Sequence, residues 1–258
     1  MNRPKLLTIV VFLAACASVV ATVASSAIAA RVRYGTLVVT SDGGFRPNAL
    51  PRQTYAPIDF WGYANIRTTT GSPPPALKSA VVEFDRDGKL TTAGLSICQP
   101  GSIENATPPQ ARQRCQAAIV GTGHITAKVT LPGSAPVSVR SPLTLFNGPR
   151  QGGNPTVLAH AQSSFPATET YVVVAPIEAV HGAYSYRLTF DVPQIAGGYG
   201  TLTHADLRVG KRYRSGGVDR SYTSARCSDR ILKTHGRFTF TEGIVISGDV
   251  FRVCNPLG

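Results

Sequence analysis

The chain has 258 residues, 43% of them hydrophobic and 16% charged, and its 26 Lys and Arg outnumber 14 Asp and Glu to give a formal charge of +12. No repeat, heptad run or low-complexity linker occurs, which excludes solenoid, coiled-coil and disordered classes. A basic body of this kind is drawn to anionic partners such as wall polymers, acidic glycans or lipid headgroups.

The N-terminus comes first and reads as an export leader. Arg3 and Lys5 are followed by residues 6–30, which carry no charge. Ala27, Ile28 and Ala29 have the small side chains of a signal-peptidase site, so that 1–29 is a signal peptide and 30–258 a single mature domain. Two other readings compete. Leu13-Ala14-Ala15-Cys16 is a lipobox-like run that would place a lipid on Cys16, and residues 6–30 retained as a helix are long enough to cross a hydrocarbon layer of roughly 30 Å. All three place the body outside the cytoplasm, where neither nucleic acid nor soluble nucleotide is an expected partner and no cofactor is implied.

Downstream the pattern is that of strands. Along the chain, expected strands fall at 35–40, 58–66, 79–84, 124–131, 143–146, 156–161, 170–177, 184–192, 203–209, 236–241 and 244–253. The period of two is clearest where Tyr184, Tyr186, Leu188, Phe190 and Val192 alternate with Ser185, Arg187, Thr189 and Asp191. It recurs where Ile125, Ala127, Val129 and Leu131 alternate with His124, Thr126, Lys128 and Thr130, and where Ala205, Leu207 and Val209 alternate with His204, Asp206 and Arg208. Asp87-Gly88, Asn147-Gly148, Gly152-Gly153 and Gly216-Gly217 are placed as tight turns, and Pro73-Pro74-Pro75 as a loop. One short helix is expected near 108–119, with Thr107 as cap, Pro108 at its first position and Gln110 completing a capping box. The fold class is therefore all-β: an antiparallel β-sandwich, or a partly closed barrel, of about eleven strands.

Setting Cys16 aside leaves four cysteines. Of three possible connectivities, Cys98 with Cys115 and Cys227 with Cys254 close the shortest loops, and each bond adds roughly 3 to 4 kcal/mol in the chain-entropy picture. No CxxC occurs and no His stands at metal-ligand spacing from a cysteine, so no metal site is expected.

Several segments carry a resemblance. Phe45-Arg46-Pro47-Asn48-Ala49-Leu50-Pro51-Arg52, Pro74-Pro75-Ala76-Leu77 leading into Phe84-Asp85-Arg86-Asp87-Gly88-Lys89-Leu90, the Cys98 to Cys115 module, Phe146-Asn147-Gly148, and Tyr199-Gly200-Thr201-Leu202 with Ser221-Tyr222 before Cys227 resemble a family of exported bacterial β-rich proteins with no assigned activity. The resemblance spans nearly the whole mature chain. It implies an exported β-rich domain and carries over no functional residue.

Motifs for acyl transfer, zinc hydrolysis and nucleotide binding are absent from the sequence: there is no GxSxG, SxxK, HExxH, Walker A loop or GxGxxG. His124, His160, His181, His204 and His235 are scattered singly, and Asp85-Arg86-Asp87-Gly88 lacks the later ligands of a calcium loop. Two features point to binding. In 58–66, Asp59, Trp61, Tyr63 and Asn65 fall on the face opposite Ile58, Phe60, Ala64 and Ile66, a composition suited to stacking on sugar rings. Between Arg208 and Arg237 nine cations, Arg212 and Arg214 among them, face two acids, with Tyr213 and Tyr222 interleaved on an expected hairpin, which suits phosphates or carboxylates. The expected function is non-catalytic binding or a structural role at the cell envelope or in the medium. The alternative is an enzyme acting on cell-wall glycan or peptide, using Asp59, Glu83 or a Cys227 thiolate near His204, His235 and Arg226.

Overall fold

The computed structural model describes residues 29–258. The Cys16 lipobox and, save for residues 29 and 30, the expected signal peptide (1–29) and anchor (6–30) lie outside the described part; Ala30 already belongs to the first strand. In chain order the elements begin with β1 (Ala30–Tyr34), β2 (Leu37–Arg46), β3 (Ala49–Pro51), β4 (Ala56–Pro57), β5 (Asp59–Thr68), β6 (Leu77–Asp85) and β7 (Gly88–Leu90). The helix α1 (Pro108–Arg114) follows, then β8 (Ile119–Val129), β9 (Val137–Gln151), β10 (Asn154–Ser163), β11 (Glu169–Ala179) and β12 (Tyr184–Asp191). The chain ends with β13 (Gly200–Val209), β14 (Arg212–Ser215), β15 (Val218–Ser221), β16 (Thr223–Ala225), β17 (Ile231–Phe240), β18 (Val245–Val253) and β19 (Asn255–Leu257).

Twelve of these strands form one antiparallel sheet in the order β1-β2-β5-β13-β8-β9-β10-β11-β12-β6-β17-β18. Its two outer strands meet, so the sheet is nearly closed into a barrel. A Cβ added to Gly248 of β18 would stand 3.0 Å from Ala30 Cβ and 3.3 Å from Val32 Cγ2 of β1, yet no backbone ladder joins them. Of the two architectures the sequence allowed, the barrel is the one formed. All eleven expected strands are present in this sheet, and β1 is its one addition.

The alternation decides which side chains enter the barrel. Ile125 and Ala127 of β8, Tyr186, Leu188 and Phe190 of β12, and Ala205, Leu207 and Val209 of β13 point inward, while the polar residues between them face out. At one end Leu37, Ile66, Leu77, Phe240 and Ile246 pack together, and Val129, Val139 and Ile195 form a second cluster beside them. The other end is capped by β4, β7 and β16, which pair with one another, and by the β14–β15 hairpin. Leu90, Tyr213 and Tyr222 descend from this cap onto Leu145, Val157 and Ile177.

Both expected disulfides are present, Cys98–Cys115 and Cys227–Cys254. The first holds α1 on the outside of the barrel, where Ile103, Ala111 and Ala118 cover Phe146 and Leu158. Gln110 Oε1 accepts the Thr107 N–H at 2.9 Å, which completes the capping box. The helix stops at Arg114, short of the expected 119, and a 3-10 turn over Gln116–Ala118 completes the segment. The second disulfide lies at the capped end among Phe45, Leu50, Ile58 and Leu232.

Two of the expected turns need correction. Asn147-Gly148 lies inside β9, where Asn147 Nδ2 donates to Ser96 O and a Cβ on Gly148 would stand 2.2 Å from Thr156 Oγ1. The glycine is there for close strand approach, not for a positive φ. The turn at 86–88 is made by Arg86 and Asp87 with ordinary φ values, and Gly88 already belongs to β7. Gly152-Gly153 and Gly216-Gly217 do take positive φ, between β9 and β10 and between β14 and β15 respectively.

Candidate functional site

The barrel is wider than its side chains can fill. Gly62, Ala64, Ala80, Ala127, Ala159 and Ala205 take inward positions among the larger apolar residues, and twelve strands enclose more space than a lining so interrupted by small groups fills. What remains is a cavity of about 380 Å³ between the cap and the far-end clusters. Phe60, Phe84, Leu143, Tyr186, Phe190 and Leu207 are among the side chains that line it. Volume and lining match those of sites for small apolar ligands. A second cavity of about 60 Å³ lies beside it under Phe45, Leu232 and Arg252.

One polar group in this lining stands apart. Tyr222 is 1% exposed and its hydroxyl has no hydrogen-bond partner. Burial pushes its phenol well above the ordinary tyrosine range. Its backbone is fixed on both sides, since its N–H donates to Lys211 O at 2.8 Å and its carbonyl accepts from Thr91 N at 2.9 Å. Tyr213, its neighbour in the cap, spends its hydroxyl on Thr91 O and Ala93 O.

The expected aromatic strip lies on the outer wall. Asp59 is exposed and Trp61, Tyr63 and Asn65 are half-buried; Phe60, Gly62, Ala64 and Ile66 line the cavity, and Tyr63 borders it too, while Asp59, Trp61 and Asn65 do not. The Trp61 indole lies across Gly44, where an added Cβ would stand 2.9 Å from Cζ2, and the Arg252 guanidinium is 5.8 Å from its ring. Arg252 also pairs with Asp42. Tyr63 stacks on His204, whose Nδ1 is 2.7 Å from Asn65 Oδ1 and whose Nε2 is 3.1 Å from Asp206 Oδ2. His124 approaches the other oxygen of Asp206 at 3.7 Å. Three neighbouring strands thus bring together groups that the sequence scattered.

The basic segment is dispersed over the surface. Arg208 lies on β13 and Arg237 on β17, seven places apart in the sheet order. Arg212 and Arg214 are exposed on the β14–β15 hairpin, and Arg212 reaches Asp59 at 3.4 Å and Ile58 O at 3.2 Å, so the strip and the hairpin adjoin. Lys233 sits over the Tyr184 ring. Arg226 is taken up by Asp87 at 2.8 Å and lies over the ring of Tyr55.

The candidate catalytic groups are otherwise engaged. Cys227 is bonded to Cys254 and offers no thiolate. Glu83 pairs with Arg187 at 2.7 Å, and His235 meets Asp249 at 2.8 Å. His160 is fully buried under the helix module with Nε2 2.9 Å from Ala106 O, and burial holds its pKa below the ordinary value. Asp85 accepts the Asp87 and Lys233 N–H groups, while Asp87 accepts Arg226 Nε and the Ser228 N–H, each at 2.8 Å. These two carboxylates fasten the cap to the barrel rim.

Neither a protein-family model, a curated protein nor a solved structure matches the chain.

Proposed function

We propose that this is an exported protein of the cell envelope or medium that binds an apolar small molecule inside its barrel without acting on it chemically. The observation that carries the reading is the apolar cavity of about 380 Å³ at the centre of a disulfide-bonded fold. Apolar side chains face in and polar ones face out, the inverse of a membrane-spanning barrel, whose outer band is apolar. Among the described residues no helix is long and apolar enough to cross a membrane. The two disulfides are consistent with an oxidising compartment and so support export. An enzyme on glycan or peptide is less well supported, because Asp59, Glu83 and Cys227 are each committed to a partner.

Titration of the disulfide-intact protein with the fluorescent hydrocarbon diphenylhexatriene tests the proposal. A saturable signal is expected at one site per chain. A variant filling the lumen, Ala159→Phe with Ala205→Phe, should lose at least tenfold in affinity while keeping its far-ultraviolet spectrum. Absence of saturable binding by the folded wild type ends the reading.

A second reading is favoured by the meeting of Arg212 with Asp59 beside Trp61, Tyr63 and Asn65: the outer wall then holds a glycan or an anionic polymer or lipid surface. Arg212→Ala with Arg214→Ala should cut retention on an anionic polysaccharide several-fold at low salt, and Trp61→Ala should weaken a neutral glycan. Retention equal to wild type in both cases removes this surface from consideration.

A further inference from the structure

We infer that Tyr222 is the recognition group of the lumen, and that the ligand is an apolar molecule bearing one uncharged oxygen acceptor, such as a ketone, ester or ether, at the end that meets the cap. This rests on the binding function proposed above and names the chemistry of its ligand.

The argument begins with an unsatisfied donor. Leaving a buried hydroxyl without a partner destabilises a fold, and native structures rarely do so without a reason. Five side-chain atoms among the described residues are buried and unpartnered, and of the residues that carry them only Tyr222 lines the cavity. Tyr222 belongs to a cluster with Leu95, Val120, Leu143, Leu145 and Val157, an apolar setting for a hydroxyl. A Phe at this position would fill the same space at no such cost, so the oxygen has to be matched from inside the cavity.

The acceptor must be uncharged. Lys89 is the one cationic side chain lining the cavity, and it is exposed, sitting over the Tyr55 ring at 5.2 Å. A carboxylate or phosphate brought to Tyr222 would lose its hydration without gaining a counter-charge. Because burial keeps the phenol protonated, it acts as a donor throughout the working pH range. The fixed backbone of Tyr222 holds that donor in one place, which makes a single oxygen at one end of the ligand sufficient.

Displacement of bound diphenylhexatriene by n-dodecane, 2-dodecanone and dodecanoate at pH 8 tests this. Wild type should prefer the ketone to the alkane by roughly fivefold, the factor a net hydrogen bond supplies, with dodecanoate the weakest. Tyr222→Phe should lose the preference and hold ketone and alkane with equal affinity. It should also melt at a higher temperature when empty, because a buried orphan has been removed. If wild type binds the probe but treats ketone and alkane alike, or if dodecanoate competes best, the inference falls while the binding function stands. If wild type binds no probe, the function proposed above fails with it. A lower melting temperature for Tyr222→Phe would show that the hydroxyl already has a partner in the protein, and would also overturn the inference. The comparison among ligands uses wild type alone, so it holds whatever the variant does.

Discussion

Asp87 shows how one carboxylate joins two distant parts of the chain. It is fully buried, yet it bonds Arg226 and Ser228 from the segment just before and after Cys227. Burial by itself would raise its pKa, but the hydrogen bonds from Ser228 and Arg226 outweigh this and hold it below the ordinary carboxylate value. A group with a depressed folded pKa contributes stability that is complete above the unfolded value and drains away as pH falls through the folded one. Asp87→Asn should therefore cost roughly 3 kcal/mol near neutrality, measured by denaturant unfolding, and the gap between variant and wild type should close as acid protonates Asp87, at a pH below the ordinary carboxylate value. A difference that persisted undiminished in acid would mean that charge is not what Asp87 supplies. At this scale the sequence was a poor guide. Asp85-Arg86-Asp87-Gly88 reads as a hairpin turn, and nothing local reveals that Arg226 lies within reach 139 positions later.

Elements were the most legible level. A period of two survives wherever one face of a strand is buried and the other wetted, so β8, β12 and β13 stand out directly from their alternation. β9 was less legible: it was seen only as 143–146 because its outer face, with Thr144 and Phe146, is itself covered by the helix module, and the contrast between faces is lost. The same burial explains why Asn147-Gly148 mimics a turn. The disulfides divide the elements into two kinds. Cys227–Cys254 closes a separation of 27 residues at the cap, and replacing both by Ser should destabilise the whole molecule by roughly 3 to 4 kcal/mol and weaken lumen binding. Replacing Cys98 and Cys115 should loosen only the outer cover, so that limited proteolysis cuts within 95–118 while the probe affinity stays within about twofold. Equal loss of binding in the two variants would show that the cover and the lumen are one cooperative unit.

For the whole molecule, local pattern could not choose between sandwich and barrel, because both bury one face of each strand. Closure depends on strand order, which brings β13 between β5 and β8 from a distant part of the chain. The cavity had a sequence trace all the same. The inward faces that include Gly62, Ala64, Ala127 and Ala205 are too slight to fill the space that twelve strands enclose. Filling the lumen with Ala159→Phe and Ala205→Phe should for that reason raise the thermal midpoint even as it abolishes binding, since the added rings occupy space that now contributes no packing. The outer strip is the reverse case. The approach of His124, His204 and Asp206 to Tyr63 and Asn65 depends on three strands lying side by side, which no local pattern shows.

The seam between β1 and β18 separates this barrel from one sewn shut all the way round. β1 pairs with Leu37 to Ser41 of β2, and no ladder among the described residues joins β1 to β18; Arg252 of β18 reaches across to Asp42 of β2 and lies over Trp61. Spreading the wall along this line breaks no main-chain ladder. Eleven junctions of the wall are stitched by backbone hydrogen bonds and this one, among the described residues, is closed by side-chain contact alone, which makes it the line along which the barrel resists opening least.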